Sequence, residues 1–141
     1  MSDFQSGSIS PHTALIYLMV VVAGVDRDLS DAELARMGQL VRNMPIFEDF
    51  NQESVISSAQ DCASILSEEG GFDAVLELVY GALPDNVLET GYVIACDVAA
   101  VDGKLSEEEL RVLELVRHKF GIDRLASAAI ERATAARYAK L

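Results

Sequence analysis

Tryptophan is absent from this 141-residue sequence, which also has only three prolines and two cysteines. Because proline interrupts helices, its scarcity leaves most of the chain free to form them. Cys62 and Cys96 each lie within a helical pattern, so we interpret them as buried thiols in a reducing compartment. Half of the residues are hydrophobic, and without tryptophan this predicts an aliphatic core in one domain.

Basic residues are missing from a long central segment. Between Asn43 and Gly103 there is no lysine or arginine, whereas this segment holds twelve of the 23 acidic residues. It carries the whole net charge of −12, because the other 11 acids match the 11 bases. Such a surface repels phosphate backbones, which argues against nucleic-acid binding. It favours a basic protein partner or cations, although a solvated face that only keeps the protein soluble gives the same pattern.

Long apolar runs are missing as well. The longest early run, residues 14–25, has about 12 residues, whereas about 20 are needed to span a bilayer. The first residues also lack the positive region of a secretory signal. We therefore expect a cytoplasmic protein without direct membrane insertion. Residues 1–10 are predicted to form a disordered leader, and residues 11–141 a single helical domain.

Helix signals cover most of the remaining chain. Ser10 and Pro11 predict the start of a first helix, and the glycines at 70–71 and Pro84 separate later ones. No segment alternates convincingly with a period of two, as a half-buried strand does. The sequence therefore predicts an all-α fold of about seven helices.

Two segments repeat each other at an offset of 76 residues, AGVDRDLSDAELARMGQLV at 23–41 and AAVDGKLSEEELRVLELVR at 99–117. In each copy an apolar helix leads into a V-D-x-x-L-S turn and an amphipathic helix that opens with a capping box. Each apolar helix is too hydrophobic to stand alone. We therefore predict that the duplicated helix-turn-helix units pack together as a pseudo-two-fold helical bundle.

Acidic residues around the two turns are the candidate metal ligands. They are Asp97, Asp102 and Glu109 in the second copy, with Asp26 and Glu33 in the first. Carboxylates without histidine or cysteine suit a hard divalent cation such as calcium or magnesium. A calcium-binding EF-hand loop does not fit, because two of its required oxygen ligands would be replaced by Val98 and Ala100.

The same carboxylates have structural interpretations. Glu33 and Glu109 each stand three residues after a capping serine, where they can close a capping box, and aspartate is common in turns. Asp97 has apolar helical neighbours, so it lies on a narrow exposed strip or, if buried, needs Lys104, a remote arginine or a metal as partner. Asp97 and Asp102 are about 140° apart on a regular helix and converge only if it unwinds.

Catalytic motifs are missing from the sequence. There is no glycine-rich phosphate loop and no nucleophile elbow, and neither His12 nor His118 has an obvious serine or cysteine partner in sequence. These absences predict that the protein is not an enzyme.

Residues 97–105, DVAAVDGKL, continued by Ser106 to Leu110, resemble the TerB-like tellurite-resistance family, and residues 23–34 form a weaker first copy. The resemblance covers most of the chain and implies a duplicated all-helical fold, no established enzymatic activity and a link to bacterial resistance to tellurite and other stresses. It also implies metal binding through the turn carboxylates and work in complexes near the membrane. Val21 stands opposite Asp97 in the first copy, which departs from a symmetric metal site.

Together these observations favour a non-catalytic, cytosolic stress-response interaction module that binds a divalent cation weakly. The module also has a protein partner, and the resemblance implies that this partner is associated with the membrane. The alternative is a metal-free docking module that engages a basic protein partner through its acidic middle segment. The sequence leaves the oligomeric state open.

Overall fold

The computed structural model describes residues 8–24, 31–101, 103 and 105–141, and within these ranges all regular secondary structure is helical. The α-helices there are α1 Pro11–Ala23, α2 Asp31–Asn43, α3 Ser54–Leu66, α4 Gly71–Ala82, α5 Leu88–Ala100, α6 Glu107–Phe120 and α7 Arg124–Arg137. Short 3-10 helices occupy Pro45–Phe47 and Asp85–Val87. The predicted all-α fold of about seven helices is confirmed.

Helix α1 forms the centre of the molecule. Its residues 14–23 are all buried, because nearly every position of the helix is apolar. It packs against α3, α4 and α5, and it also contacts α2 and α6. Fully buried side chains such as Leu15 and Leu18 each contribute about 1.5–3 kcal/mol of hydrophobic stabilisation. The other helices are therefore arranged around α1.

Helix α5 is the second apolar helix, and it lies against α1, α6 and α7. Ile94, Ala95 and Val98 are among its buried residues. The apolar helices of the two sequence copies are thus neighbours in the fold, as expected for helices too hydrophobic to face water. The pseudo-two-fold relation between the copies stays a prediction.

The predicted helix ends agree with the structure at most positions. Ser10 accepts a hydrogen bond from the backbone N–H of Thr13 at the start of α1, and Gly121 ends α6 in the left-handed region with φ 67°. The chain after Pro84 does not enter the next α-helix directly. Asp85–Val87 form a 3-10 helix, and α5 begins at Leu88. The chain thus makes one tighter turn before α5 starts.

The capping box of α6 is complete. The Ser106 hydroxyl accepts from the Glu109 N–H at 3.0 Å, and the Glu109 carboxylate accepts from the Ser106 N–H, also at 3.0 Å. We expect Ser106→Ala to lower the free energy of unfolding by about 1 kcal/mol, because a backbone donor of the first turn loses its acceptor. Urea denaturation measures this loss.

The matched control is Ser64→Ala, at an exposed position inside α3. It should change the free energy of unfolding by less than about 0.5 kcal/mol. Equal losses in the two variants would contradict the stabilising role of the α6 cap.

Both cysteines are free and buried, as predicted. The Cys62 thiol donates to the carbonyl oxygen of Tyr17 at 3.7 Å, which joins α3 to α1. Burial raises the pKa of Cys62 and of Cys96 to about 12. The thiols are therefore protonated at neutral pH and act as small core side chains.

No helix within the described ranges is both long enough and apolar enough to cross a membrane.

Candidate functional site

Asp97 is a buried carboxylate near the C-terminal end of α5, and the residue is only 6% exposed. Its Oδ1 accepts a hydrogen bond from Arg137 Nη2 at 2.6 Å and another from the Tyr138 hydroxyl at 2.9 Å. The prediction of an exposed strip is therefore wrong. The predicted remote arginine is Arg137, and the Tyr138 hydroxyl is a second partner that was not predicted.

A second arginine completes this arrangement at the end of α7. The Arg36 guanidinium, from α2, lies 5.3 Å from the centre of the Tyr138 ring. Arg137 lies 6.0 Å from the same ring, and its side chain is half exposed. We call Asp97, Arg137, Tyr138 and Arg36 the Asp97 cluster. It joins α2, α5 and the end of α7, so its first role is to hold these helices together.

The two tyrosines that bond to carboxylates are held in their protonated form. Burial and the hydrogen bond to Asp97 raise the pKa of Tyr138. Burial and the hydrogen bond to Glu131 raise the pKa of Tyr92, whose hydroxyl donates to Glu131 Oε2 at 2.6 Å. Both phenols therefore act as donors across the α5–α7 interface at neutral pH.

Glu109 and Glu33 occupy corresponding places in the first turns of α6 and α2, and both are buried. The Glu109 carboxylate closes the capping box described above, so one of its oxygens already has a backbone donor. Acidic residues in these first turns also suit the positive end of the helix dipole. Capping accounts for the position of Glu109 without a metal, and its role as a ligand stays a prediction.

Asp26 and Asp102, the other candidate ligands, lie outside the described residues. In the part of the chain that the structure describes, no three histidine, cysteine, aspartate or glutamate side chains lie close enough together to hold a metal ion. This finding leaves the predicted site at Asp97, Asp102 and Glu109 untested, because Asp102 is not covered. The first-copy pair of Asp26 and Glu33 is untested for the same reason.

Ten carboxylates of the acidic middle segment are exposed. They lie on α3, α4, the adjoining turns and short helices, and the first turn of α5. They are Glu48, Asp49, Glu53, Asp61, Glu68, Glu69, Asp73, Glu77, Asp85 and Glu89, and we call them the acidic layer. Of these ten carboxylates only Glu77 forms an ion pair with a described residue, Lys119 of α6. The layer therefore presents nearly all of its charge to solvent.

The histidines have separate environments. His12 Nε2 lies 2.7 Å from the carbonyl oxygen of Ile46, and its ring centre is 5.7 Å from that of Phe47 and 5.0 Å from that of Phe50. These contacts hold the start of α1 against the chain after α2. His118 is exposed near the end of α6. Neither arrangement is that of a general base beside a nucleophile.

Sequence reasoning did not identify Arg137 and Tyr138 as the partners of Asp97. They lie 40 and 41 residues away along the chain. The one signal in the sequence was the charge imbalance around Asp97, which required a cation from elsewhere. That signal gave the chemistry of the partner but not its position.

Comparisons with known proteins agree with this architecture. A family model described as "Tellurite resistance protein TerB" matches residues 12–132, which is most of the chain and includes both repeat copies. Searches among curated proteins and among solved structures found no match. The chain therefore belongs to the TerB family, whose members are generally non-catalytic.

Proposed function

We propose that this protein is a non-catalytic interaction module of the tellurite-resistance type, and that it docks a basic protein partner through the acidic layer. The observation that carries the proposal is the set of exposed carboxylates without cationic partners in the described residues. All the lysines and arginines of the chain lie outside residues 43–103. Apart from the Glu77–Lys119 pair, the layer has no cationic partner among the described residues, and a basic protein partner supplies the missing positive charge.

An apolar contact within the layer adds specificity. Ile56 lies on the outer side of α3 and is 64% exposed, although a large aliphatic side chain gains from burial. Its helix also carries the exposed Asp61, and Glu53 directly precedes the helix. An exposed apolar residue one turn from Glu53 fits a partner segment that alternates basic and apolar side chains. Such a partner gains affinity from Ile56 and a fast association rate from the charges.

The probe for this proposal is an amphipathic peptide built of lysine and leucine. Asp61→Asn combined with Asp73→Asn should weaken its binding about tenfold at low salt, because two charges of the layer are lost. The control, Glu107→Gln combined with Glu108→Gln on α6, changes the net charge equally outside the layer. It should alter affinity by less than about twofold. Fluorescence anisotropy measures both, and equal losses would contradict a localised docking surface.

A second candidate function is weak binding of calcium or magnesium at the turn between α5 and α6. The observation that favours it is the burial of two carboxylates, Glu33 and Glu109, at corresponding places beside the repeated turns. A buried carboxylate gains from any nearby cation, and these turns also carry Asp26 and Asp102 in the sequence. In this function the cation joins oxygen ligands of the second copy, which are Asp97, Asp102 and Glu109.

Calorimetric titration of chelator-stripped protein with calcium, magnesium and zinc tests this candidate. Glu109→Gln is the informative variant, because glutamine still closes a capping box but carries no charge. We expect it to abolish calcium or magnesium binding while the melting temperature of the metal-free protein stays nearly the same. If the unmodified protein gives no heat and no change in melting temperature, the metal-free docking function alone remains.

A further inference from the structure

A half-open cavity of about 410 Å³ lies between α5, α6 and α7, separate from the acidic layer. Helix α5 lines it with Tyr92, Cys96 and Ala100, which are four residues apart and share one helix face. Its size is within the range of small-molecule sites, and its walls are largely apolar. Neither proposed function uses this cavity.

The cavity has a polar end and an apolar end. The polar end is set by Tyr92 and Glu131, which are hydrogen-bonded to each other, and by Arg117 of α6. Ala100 lies eight residues further along α5, about 12 Å from Tyr92. Leu110 lies seven residues before Arg117 on α6, about 10 Å away. The walls therefore change from polar to apolar along a length of about 10–12 Å.

The apolar end is open to solvent. Leu105 is 44% exposed and Leu110 is 50% exposed, and both line the cavity together with Ala100. Exposure of two large aliphatic side chains at one cavity costs hydrophobic free energy that an apolar ligand would recover.

Arg117 is the one basic residue among the described residues that line the cavity. Glu131 already accepts from Tyr92, and Glu114 accepts from Arg111 at 3.0 Å. Arg117 is partly buried, and no carboxylate in the described ranges forms an ion pair with it. Glu131 has no cationic partner either, but its carboxylate already accepts the Tyr92 hydroxyl, whereas the Arg117 guanidinium has neither an ion-pair nor a hydrogen-bond partner among the described residues. Arg117 fits an anionic head group, most naturally a carboxylate that two of the guanidinium nitrogens contact.

We propose that the cavity binds a small amphipathic anion, with a carboxylate head at Arg117 and an alkyl chain running toward Ala100 and Leu110. The alkyl chain covers the exposed leucines, and the head supplies the counterion of Arg117. The inference is independent of both proposed functions, because the described residues that line the cavity include neither Glu109 nor any residue of the acidic layer.

Calorimetric titration with decanoate tests the proposal. Arg117→Gln should weaken binding about tenfold, because the head loses its counterion. Leu110→Ser should also weaken it about tenfold, and Ala100→Leu should do so by filling the apolar end. The control, Arg132→Gln, removes an equal charge from an exposed position of α7 that does not line the cavity. It should change affinity by less than about twofold.

Decyltrimethylammonium, which has the same chain length and the opposite charge, should bind about tenfold more weakly than decanoate. Circular dichroism of each variant tests whether it folds. If Ala100→Leu does not fold, Leu110→Ser still tests the apolar end, because Leu110 is exposed and its replacement leaves the core intact. Absence of decanoate binding to the unmodified protein overturns the proposal. Three other results would also overturn it: equal binding of decanoate and decyltrimethylammonium, unchanged decanoate binding in Leu110→Ser, or equal losses of affinity in Arg117→Gln and Arg132→Gln.

Discussion

Replacement of Gly71 by alanine is expected to lower the free energy of unfolding by about 3 kcal/mol. A Cβ atom at this position would lie 2.1 Å from the carbonyl oxygen of Ile65 and 2.9 Å from its carbonyl carbon. The same Cβ would also lie 2.9 Å from the Cα of Leu66. These are backbone atoms at the end of α3, so no side-chain rotation relieves the overlap. The junction between α3 and α4 must open, and both helices pack on the central α1.

The control for this variant is Gly81→Ala near the end of the same helix. No heavy atom lies within 4 Å of a Cβ built at Gly81, and the residue is exposed. Alanine there should raise the free energy of unfolding by up to about 1 kcal/mol, because it has a higher helix propensity than glycine. Urea denaturation of the two variants should therefore give shifts of opposite sign. A neutral effect of Gly71→Ala would show that the two helices do not approach so closely.

Replacement of Asp97 by alanine is expected to lower the free energy of unfolding by about 2 kcal/mol, the second largest loss that we predict. The variant removes the acceptor of Tyr138 and the counterion of Arg137. The loss is smaller than for a fully buried pair, because the Arg137 side chain is half exposed and can turn into water. Thermal and urea denaturation measure it. A carboxylate without partners would instead give a more stable alanine variant.

Asp97→Asn serves as the matched variant. Its amide oxygen can still accept from Tyr138, so about half of the loss should remain. A double-mutant cycle with Arg137→Ala gives the coupling between the two charged residues and separates it from effects of each residue alone. Zero coupling between them would contradict the ion pair.

The Asp97 variants also bear on the metal hypothesis. If a bound cation contributes to the stability at Asp97, the loss in Asp97→Ala will shrink when the unmodified protein is treated with a chelator. If the cluster of Arg137 and Tyr138 is sufficient, the loss will be the same with and without chelator. Denaturation with added calcium and with a chelator therefore tests whether Asp97 is a ligand or a structural residue.

The hydrogen bonds of Ser106 could be predicted from the sequence, whereas the partners of Asp97 could not. The capping box at Ser106 joins groups three residues apart, and its hydrogen bonds are the same in any helix that begins there. The partner of Asp97 depends on how α7 packs against α5, and Arg137 was one of 11 basic residues that could have supplied the charge. The polar and apolar ends of the cavity similarly depend on three helices that meet only in the fold.

The sequence by itself determined the helices, most of their ends, the packing of the two apolar helices against each other and the location of the acidic segment. These features follow from local hydrogen bonding and from the hydrophobicity of short segments, which do not depend on distant residues. Only the tertiary structure decided that Asp97 is buried against Arg137 and Tyr138, and that Arg117 lies beside an open apolar cavity. Those features arise from contacts between residues far apart in the chain, and side-chain packing alone selects them.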